Sequence, residues 1–202
     1  MGAIINLARW AQGLLDKLNG LDFLAPLALR LYLVPVFWTA GMNKIAGFES
    51  TVEWFGNAEW GLGLPFPTLM AGMATGTEII GAVLLLIGLG VRWITLPLIF
   101  TMLVAIFKVH IPNGWQAVAD PMSAFANDNA AGAIERLTQA RELLQQHGNY
   151  DWLTETGSFV ISNNGVEWAV TYLIMLVALF FIGAGKYVSV DYYIGKSVMP
   201  NR

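Results

Sequence analysis

The chain has 202 residues, 56% hydrophobic and 12% charged, with no cysteine. Soluble domains average about 45–50% apolar and about 25% charged residues. With a mean hydropathy of +0.56, the composition therefore excludes an ordinary water-soluble enzyme, a disordered chain and a nucleic-acid binder, and the missing thiols exclude disulfides, thiolate metal sites and iron–sulfur clusters. A net charge of −3 names no partner, and what remains is an integral membrane protein whose first partner is the lipid bilayer.

Residues 2–19 come first. Ile4, Ile5, Leu7, Ala8, Ala11, Leu14, Leu15 and Leu18 share one broad face, while Asn6, Arg9, Gln12, Asp16 and Lys17 fall mostly on another. That pattern predicts an amphipathic helix lying in the membrane interface rather than a cleaved signal peptide. Four apolar stretches follow, at residues 24–45, 68–89, 93–109 and 166–182. Each is near the 17–25 residues that a hydrocarbon core of about 30 Å demands. Their unbroken apolar runs lack the alternation of barrel strands, so helix is the expected form. The predicted fold is an all-α membrane protein, a single domain over residues 1–202 built as a four-transmembrane-helix bundle. Residues 110–165 form an insertion too long for a plain turn. Asn127 or Asp128 is placed to cap a helix with the stripe Ile134, Leu137, Ala140 and Leu144, ending at Gly148. Residues 162–165, Ser-Asn-Asn-Gly, carry a hairpin-like turn signal or else form the entry to the last span.

Four crossings put both termini on one side. Arg9, Lys17, Arg92, Lys186, Lys196 and Arg202 lie there, whereas the other side is rich in acid (Glu49, Glu53, Glu59, Asp120, Asp128, Glu135, Glu142, Asp151, Glu155) and holds Arg136 and Arg141. The positive-inside rule assigns the termini to the cytoplasm and the insertion to the outside of a bacterial inner membrane. Trp10, Trp93, Tyr187, Tyr192 and Tyr193 fit an inner aromatic belt, and Trp54, Trp60, Trp115 and Trp168 an outer one.

Ionisable groups within the spans are expensive and mark either a specific pairing or a function. Counted from the helix ends, Arg30 lies roughly 9 Å deep and Glu78 roughly 15 Å deep, which suggests an Arg30–Glu78 pair. Such a pair is a structural neutralisation, or else Glu78 is a proton-transfer or ligand-binding carboxylate, the candidate catalytic group. Lys44, Lys108, His110 and Glu167 gather at the outer ends of the spans. With Arg30 and Glu78 they are candidates for an outward-facing polar pocket or for buried ion pairs, and ordinary snorkelling accounts for the lysines alone. Gly41 on the Arg30–Lys44 stripe leaves room for a close neighbour, and Pro35 is placed to kink the first span. Met42, Met70 and Met73 are the metal candidates, since thioethers suit Cu(I); methionines in apolar helices more often simply pack. No cofactor motif is evident.

The ordered set Arg30, Leu31, Phe37, Gly41 and Lys44, then Glu78 and Gly81, Leu89, Gly90 and Arg92, and finally Gly183, Gly185, Ser189 and Asp191 resembles the DoxX family of small four-helix membrane proteins. Asp191 is the acid of the closing motif, and its spacing from Ser189 also suits a cap on a following turn. More finely, Trp54–Asn57, Trp60–Pro65 and the run Val109, His110, Gly114, Trp115 and Gln116 resemble the HvfX-like branch. The resemblance to this branch implies service to a copper-stress system that matures copper-binding, ribosomally made peptides, through protein partners or the modified peptide itself. DoxX relatives also include the quinone-reducing membrane part of a thiosulfate oxidoreductase and partners of redox-stress enzymes, which implies the alternative of a quinone-interacting oxidoreductase subunit. In that alternative Phe37, Trp38 and Trp168 stack a quinone, while Glu78 or His110 exchanges protons with it. A transporter finds no inverted repeat in four spans, though a homo-oligomer could build a path.

Overall fold

The computed structural model describes residues 2–198, and Arg202 and the side chain of Ala8 fall outside the described residues. Its regular secondary structure is helical among the described residues. In chain order the helices are α1 (Gly2–Asp16), α2 (Leu24–Ala46), α3 (Phe48–Gly56), α4 (Pro67–Ile87), α5 (Val91–Ala105), α6 (Asp128–His147), α7 (Tyr150–Thr154), α8 (Glu167–Ile182) and α9 (Val190–Val198). A 3₁₀ turn, Lys17–Leu21, follows α1; a π turn, Ile106–His110, and a 3₁₀ turn, Ile111–Asn113, extend α5. The described residues form no strand, and an isolated antiparallel bridge joins Val118 to Ser162.

Local chemistry sets the boundaries. Pro67 opens α4, where its missing N–H costs nothing, and Gly88 closes it in the left-handed conformation at φ +69. The Asn127 side chain accepts from the Ala130 N–H to cap α6. Among the described residues three helical stretches are long and apolar enough to cross a membrane: Leu24–Ala46, Pro67–Ile87 and Val91–Asn113. The chain is thus a multi-pass membrane protein. α8 is equally apolar in character but has 16 residues, about 24 Å of helix, so it falls short of that length. Large apolar side chains such as Ile80, Phe100 and Phe181 point away from the protein, as they do when the solvent is lipid.

The chain divides into two compact units, one running up to Phe100 and resuming at Met175, the other spanning Thr101–Ile174. In the first, α2 and α4 run antiparallel and pack closely, and the core is built from Leu33, Phe37, Ala71, Ala82, Leu85, Val91, Leu98, Leu176 and Leu179. Gly41 is what permits the approach: a Cβ there would stand 2.5 Å from Ile79 Cγ1 and 3.3 Å from Glu78 Cβ.

In the second unit asparagines join distant loops. Asn163 Nδ2 donates to the carbonyls of Asn113 (2.7 Å) and Gln116 (3.0 Å), and Asn127 Nδ2 donates to Asn113 O (3.1 Å). Residues 162–165 form the entry to α8, where Asn163 and Asn164 donate to Ala117 O, and Gly165 to Gln116 O. One sequence expectation is corrected here. The buried stripe of α6 is Ala130, Ala133 and Leu137, with Ile134 and Ala140 exposed. Small alanines let this helix seat close to its support, so the contact line follows them rather than the bulkier isoleucine.

Candidate functional site

Two clusters of charge are built into the first unit, one toward each end of α2. Toward the Ala46 end, Lys44 Nζ donates to both carboxylate oxygens of Glu78 at 2.8 Å. The Glu78 side chain is 4% exposed and that of Lys44 24%, so the pair is closed on the carboxylate side and partly open on the ammonium side. The expected Arg30–Glu78 pair does not form. In the antiparallel register Gly41 lies against Glu78 and Ile79, which puts Arg30 eleven residues away along α2, about 16 Å of rise. No arginine side chain spans that distance. Lys44, one turn beyond Gly41, does reach.

Arg30 instead lies at the far end of α4, where it is 1% exposed. Its Nη2 donates to Val188 O at 2.6 Å. Its guanidinium packs against the Gly88 backbone so closely that a Cβ at position 88 would occupy the same space as Nη1. Gly88 is also held at φ +69, so glycine is required there on two counts. The Asp191 carboxylate acts on Arg30 through space and accepts from the Gly90 N–H (2.7 Å) and the Val91 N–H (3.0 Å). Asp191 therefore caps the N-terminus of α5 from the opposite end of the chain, satisfying donors that the helix itself leaves unpaired. The Asp191 N–H in turn donates to Gly88 O at 3.0 Å.

The remaining closing-motif residues gather around the same point. Gly183 and Gly185 turn the chain after α8 at φ +79 and +85, with Gly185 against Pro26. Arg92 Nη2 donates to Phe181 O at 2.8 Å. Ser189 Oγ donates to Gly185 O and accepts from the Tyr192 N–H, which is the cap its spacing predicted.

Beside this cluster a cavity of about 510 Å³ opens among Asp22, Phe23, Pro26, Ile182, Lys186, Asp191 and Tyr192. Lys186 Nζ donates to Asp22 Oδ2 at 2.7 Å, with both side chains about half exposed (55% and 50%). The hydrogen bond and charge of Asp22 hold the Lys186 ammonium pKa above its ordinary value. Lys44 is turned onto Glu78, and the cavity lies at the other end of α2. Asp22 carries no signal in the sequence, and Lys186 and Tyr192 read only as a positive-inside charge and an inner-belt aromatic. Their closeness to α2 follows from the turns at Gly183 and Gly185, which spacing alone does not reveal.

The other candidates lie in the second unit. His110 Nδ1 stands 2.8 Å from the Asn164 carbonyl, Glu167 accepts from the Ala117 N–H at 3.0 Å, and Lys108 is exposed on the π turn. His110 and Glu167 thus secure backbone in that unit. Met42 and Met73 are exposed and Met70 half-buried. Among the described residues no group of three His, Cys, Asp or Glu side chains is arranged to hold a metal.

These features define a helical, multi-pass membrane protein with a carboxylate buried between two of its spanning helices and paired to a partly open ammonium. Residues 25–111 match the model of the DoxX family, a stretch holding Arg30, Gly41, Lys44, Glu78, Gly90 and Arg92 but not the Gly183–Asp191 motif. The chain is similar to a protein of Bacillus subtilis (strain 168) named "Putative oxidoreductase CatD", at 33% identity over 85 residues. That stretch is 42% of this chain and 59% of the Bacillus protein, so the similarity spans less than two thirds of the relative. No solved structure gives a significant match.

Proposed function

We propose that the chain is a membrane-embedded accessory subunit of a redox system, in which Glu78 handles a proton within the bilayer and Lys44 controls it. One observation carries the reading: a carboxylate deep between two spanning helices is held by a single ammonium on a flexible stem, and the ammonium side is partly open. A purely structural neutralisation has no need of that opening. The name of the Bacillus relative points the same way. Electrons come from a partner protein, since the chain carries no haem or flavin motif. The test is thiosulfate- or sulfide-driven electron flow in membranes that overproduce the chain. Glu78→Gln is expected to lower it about tenfold or more at unchanged protein level, and an unaltered rate sinks the reading.

A second reading rests on the loop after α3. Leu62 donates to Trp54 O, Gly63 to Asn57 O and Leu64 to Phe55 O, all within 2.9 Å. The Asn57 side chain accepts from Glu59 and Trp60, and Trp60 stands exposed on this rigid frame. Such a loop suits recognition of a protein or peptide, including the copper-stress peptide system implied by the HvfX-like resemblance. Pull-down from membranes under copper stress, with and without Trp60→Ala, tests it; recovery of no peptide-maturation component removes its support.

In both readings α8 completes a fourth crossing, the termini lie in the cytoplasm of a bacterial inner membrane, and the exposed Ile4, Leu7, Trp10 and Leu14 of α1 rest in the interface. Accessibility labelling at both termini tests this arrangement; reaction from opposite sides rejects it.

A further inference from the structure

We propose that the cavity at the Leu24 end of α2 seats the headgroup of an amino-phospholipid, a zwitterion carrying one phosphate and one primary ammonium. Its place in the fold is the first argument. Asp22 and Phe23 directly precede α2, and Lys186 follows the last residue of α8 by four positions. The cavity therefore lies where apolar helices give way to polar chain, the level at which headgroups sit.

The charges of the wall are the second argument. Lys186 and Asp22 already form an ion pair at 2.7 Å, half-exposed on both sides. A zwitterion matches that pair end to end, its phosphate on the lysine ammonium and its ammonium on the aspartate. One exposed contact is then exchanged for two charge-assisted ones with no change in net charge. An anionic headgroup would satisfy Lys186 but would face both Asp22 and Asp191. Asp191 has its oxygens committed to the amides of Gly90 and Val91, so it acts as a fixed negative wall rather than a ligand.

The third argument is the apolar and aromatic lining. Phe23, Pro26 and Ile182 form the part next to the helices, where the glycerol and first methylenes of a lipid would lie. Tyr187 packs edge-on against Phe23 and tilted against Tyr192, with ring centroids 5.4 Å apart in each case. That cluster places ring surface beside the ammonium position. A volume of about 510 Å³ is of the size used for drug-sized molecules and suits a headgroup with its glycerol.

The experiment is native mass spectrometry of the full chain released from detergent micelles, titrated with phosphatidylethanolamine, phosphatidylglycerol or soluble O-phosphoethanolamine. Phosphatidylethanolamine adducts are expected to persist about tenfold more than phosphatidylglycerol adducts, the factor that one charge-assisted contact supplies. Asp22→Asn with Lys186→Gln, both at exposed positions, should abolish that preference. Ala25→Trp, which fills the cavity from an exposed site on α2, should lower adducts of both lipids. Equal retention of the two lipids by the unaltered chain, or a preference that survives the double substitution, overturns the proposal. Capture of soluble phosphoethanolamine as strong as that of the lipid also overturns it, because the site would then serve a water-borne zwitterion.

Discussion

The two ends of α2 solve the same problem differently. At one, Lys44 meets Glu78, 34 residues apart, between spanning helices that only α3 separates in the chain. At the other, Arg30 donates through Nη2 alone to Val188, 158 residues away, while its Nε and Nη1 are buried without a hydrogen-bond partner beside the charge of Asp191. The first is a direct ion pair with an opening, made by neighbours in an antiparallel hairpin. The second is a sealed junction in which a guanidinium, a left-handed glycine, a helix N-terminus and a carboxylate all require one another. A junction of the second kind locks the fold, whereas the first can change partners without dismantling its helices. Chemistry is therefore expected at Lys44–Glu78 and stability at Arg30–Asp191.

Substitution should break that division most sharply at Gly88. Gly88→Val sets a β-branched side chain at positive φ and in the space of the Arg30 guanidinium. Strain and overpacking together should cost about 2–6 kcal/mol, read as loss of monodisperse protein in size-exclusion chromatography. Next in size is Lys44→Met, which leaves the Glu78 carboxylate buried without its partner at about 3–5 kcal/mol. The double variant Lys44→Met with Glu78→Leu should recover most of that loss in thermal unfolding, yet stay inactive if the pair is functional. Recovery of stability and activity together would make the pair a matter of packing.

Asp191→Ala, which uncaps Gly90 and Val91, is expected to cost about 1–2 kcal/mol. Asp191→Asn sharpens the comparison because it retains an acceptor but removes the charge near Arg30. Full recovery would assign Asp191 to capping alone. The smallest effect belongs to the exposed Lys186–Asp22 bridge. Its lysine has a raised pKa in the folded state, so its stabilisation is complete below the ordinary lysine value of about 10.4 and disappears as pH climbs through the raised one. Asp22→Asn should remove that alkaline loss from the melting profile, and added salt should blunt it in the unaltered chain.

Sequence alone placed the helices well where solvent sets the rule. Apolar length gave α2 and α4 to within about two residues at either end. The approach at Gly41 was also legible, because a small residue on a charged stripe has a local geometric meaning. The Arg30 partner was not. Depth counted from helix ends ignores register, and the ends of α2 and α4 are offset enough to put Arg30 beside Gly88. Nothing local ties Asp191 to the amides of Gly90 and Val91 about a hundred positions earlier. The DoxX resemblance set Gly90, Arg92, Gly183, Ser189 and Asp191 in one ordered pattern, but order in a pattern does not state contact. In α6 the expected and the buried stripes share Leu137 and part at Ile134 and Ala140, because the small Ala130 and Ala133 decide how closely the helix can seat.

The long reach from Arg30 to Val188 also has a consequence for biogenesis. While the ribosome is still translating, the guanidinium and the amides that open α5 must wait for chain that does not yet exist. Over that interval the early hairpin carries an unmatched cation into the insertion machinery. Chaperoning by the translocon, or a transient lipid phosphate held in place of the later residues, is the service such a nascent chain requires.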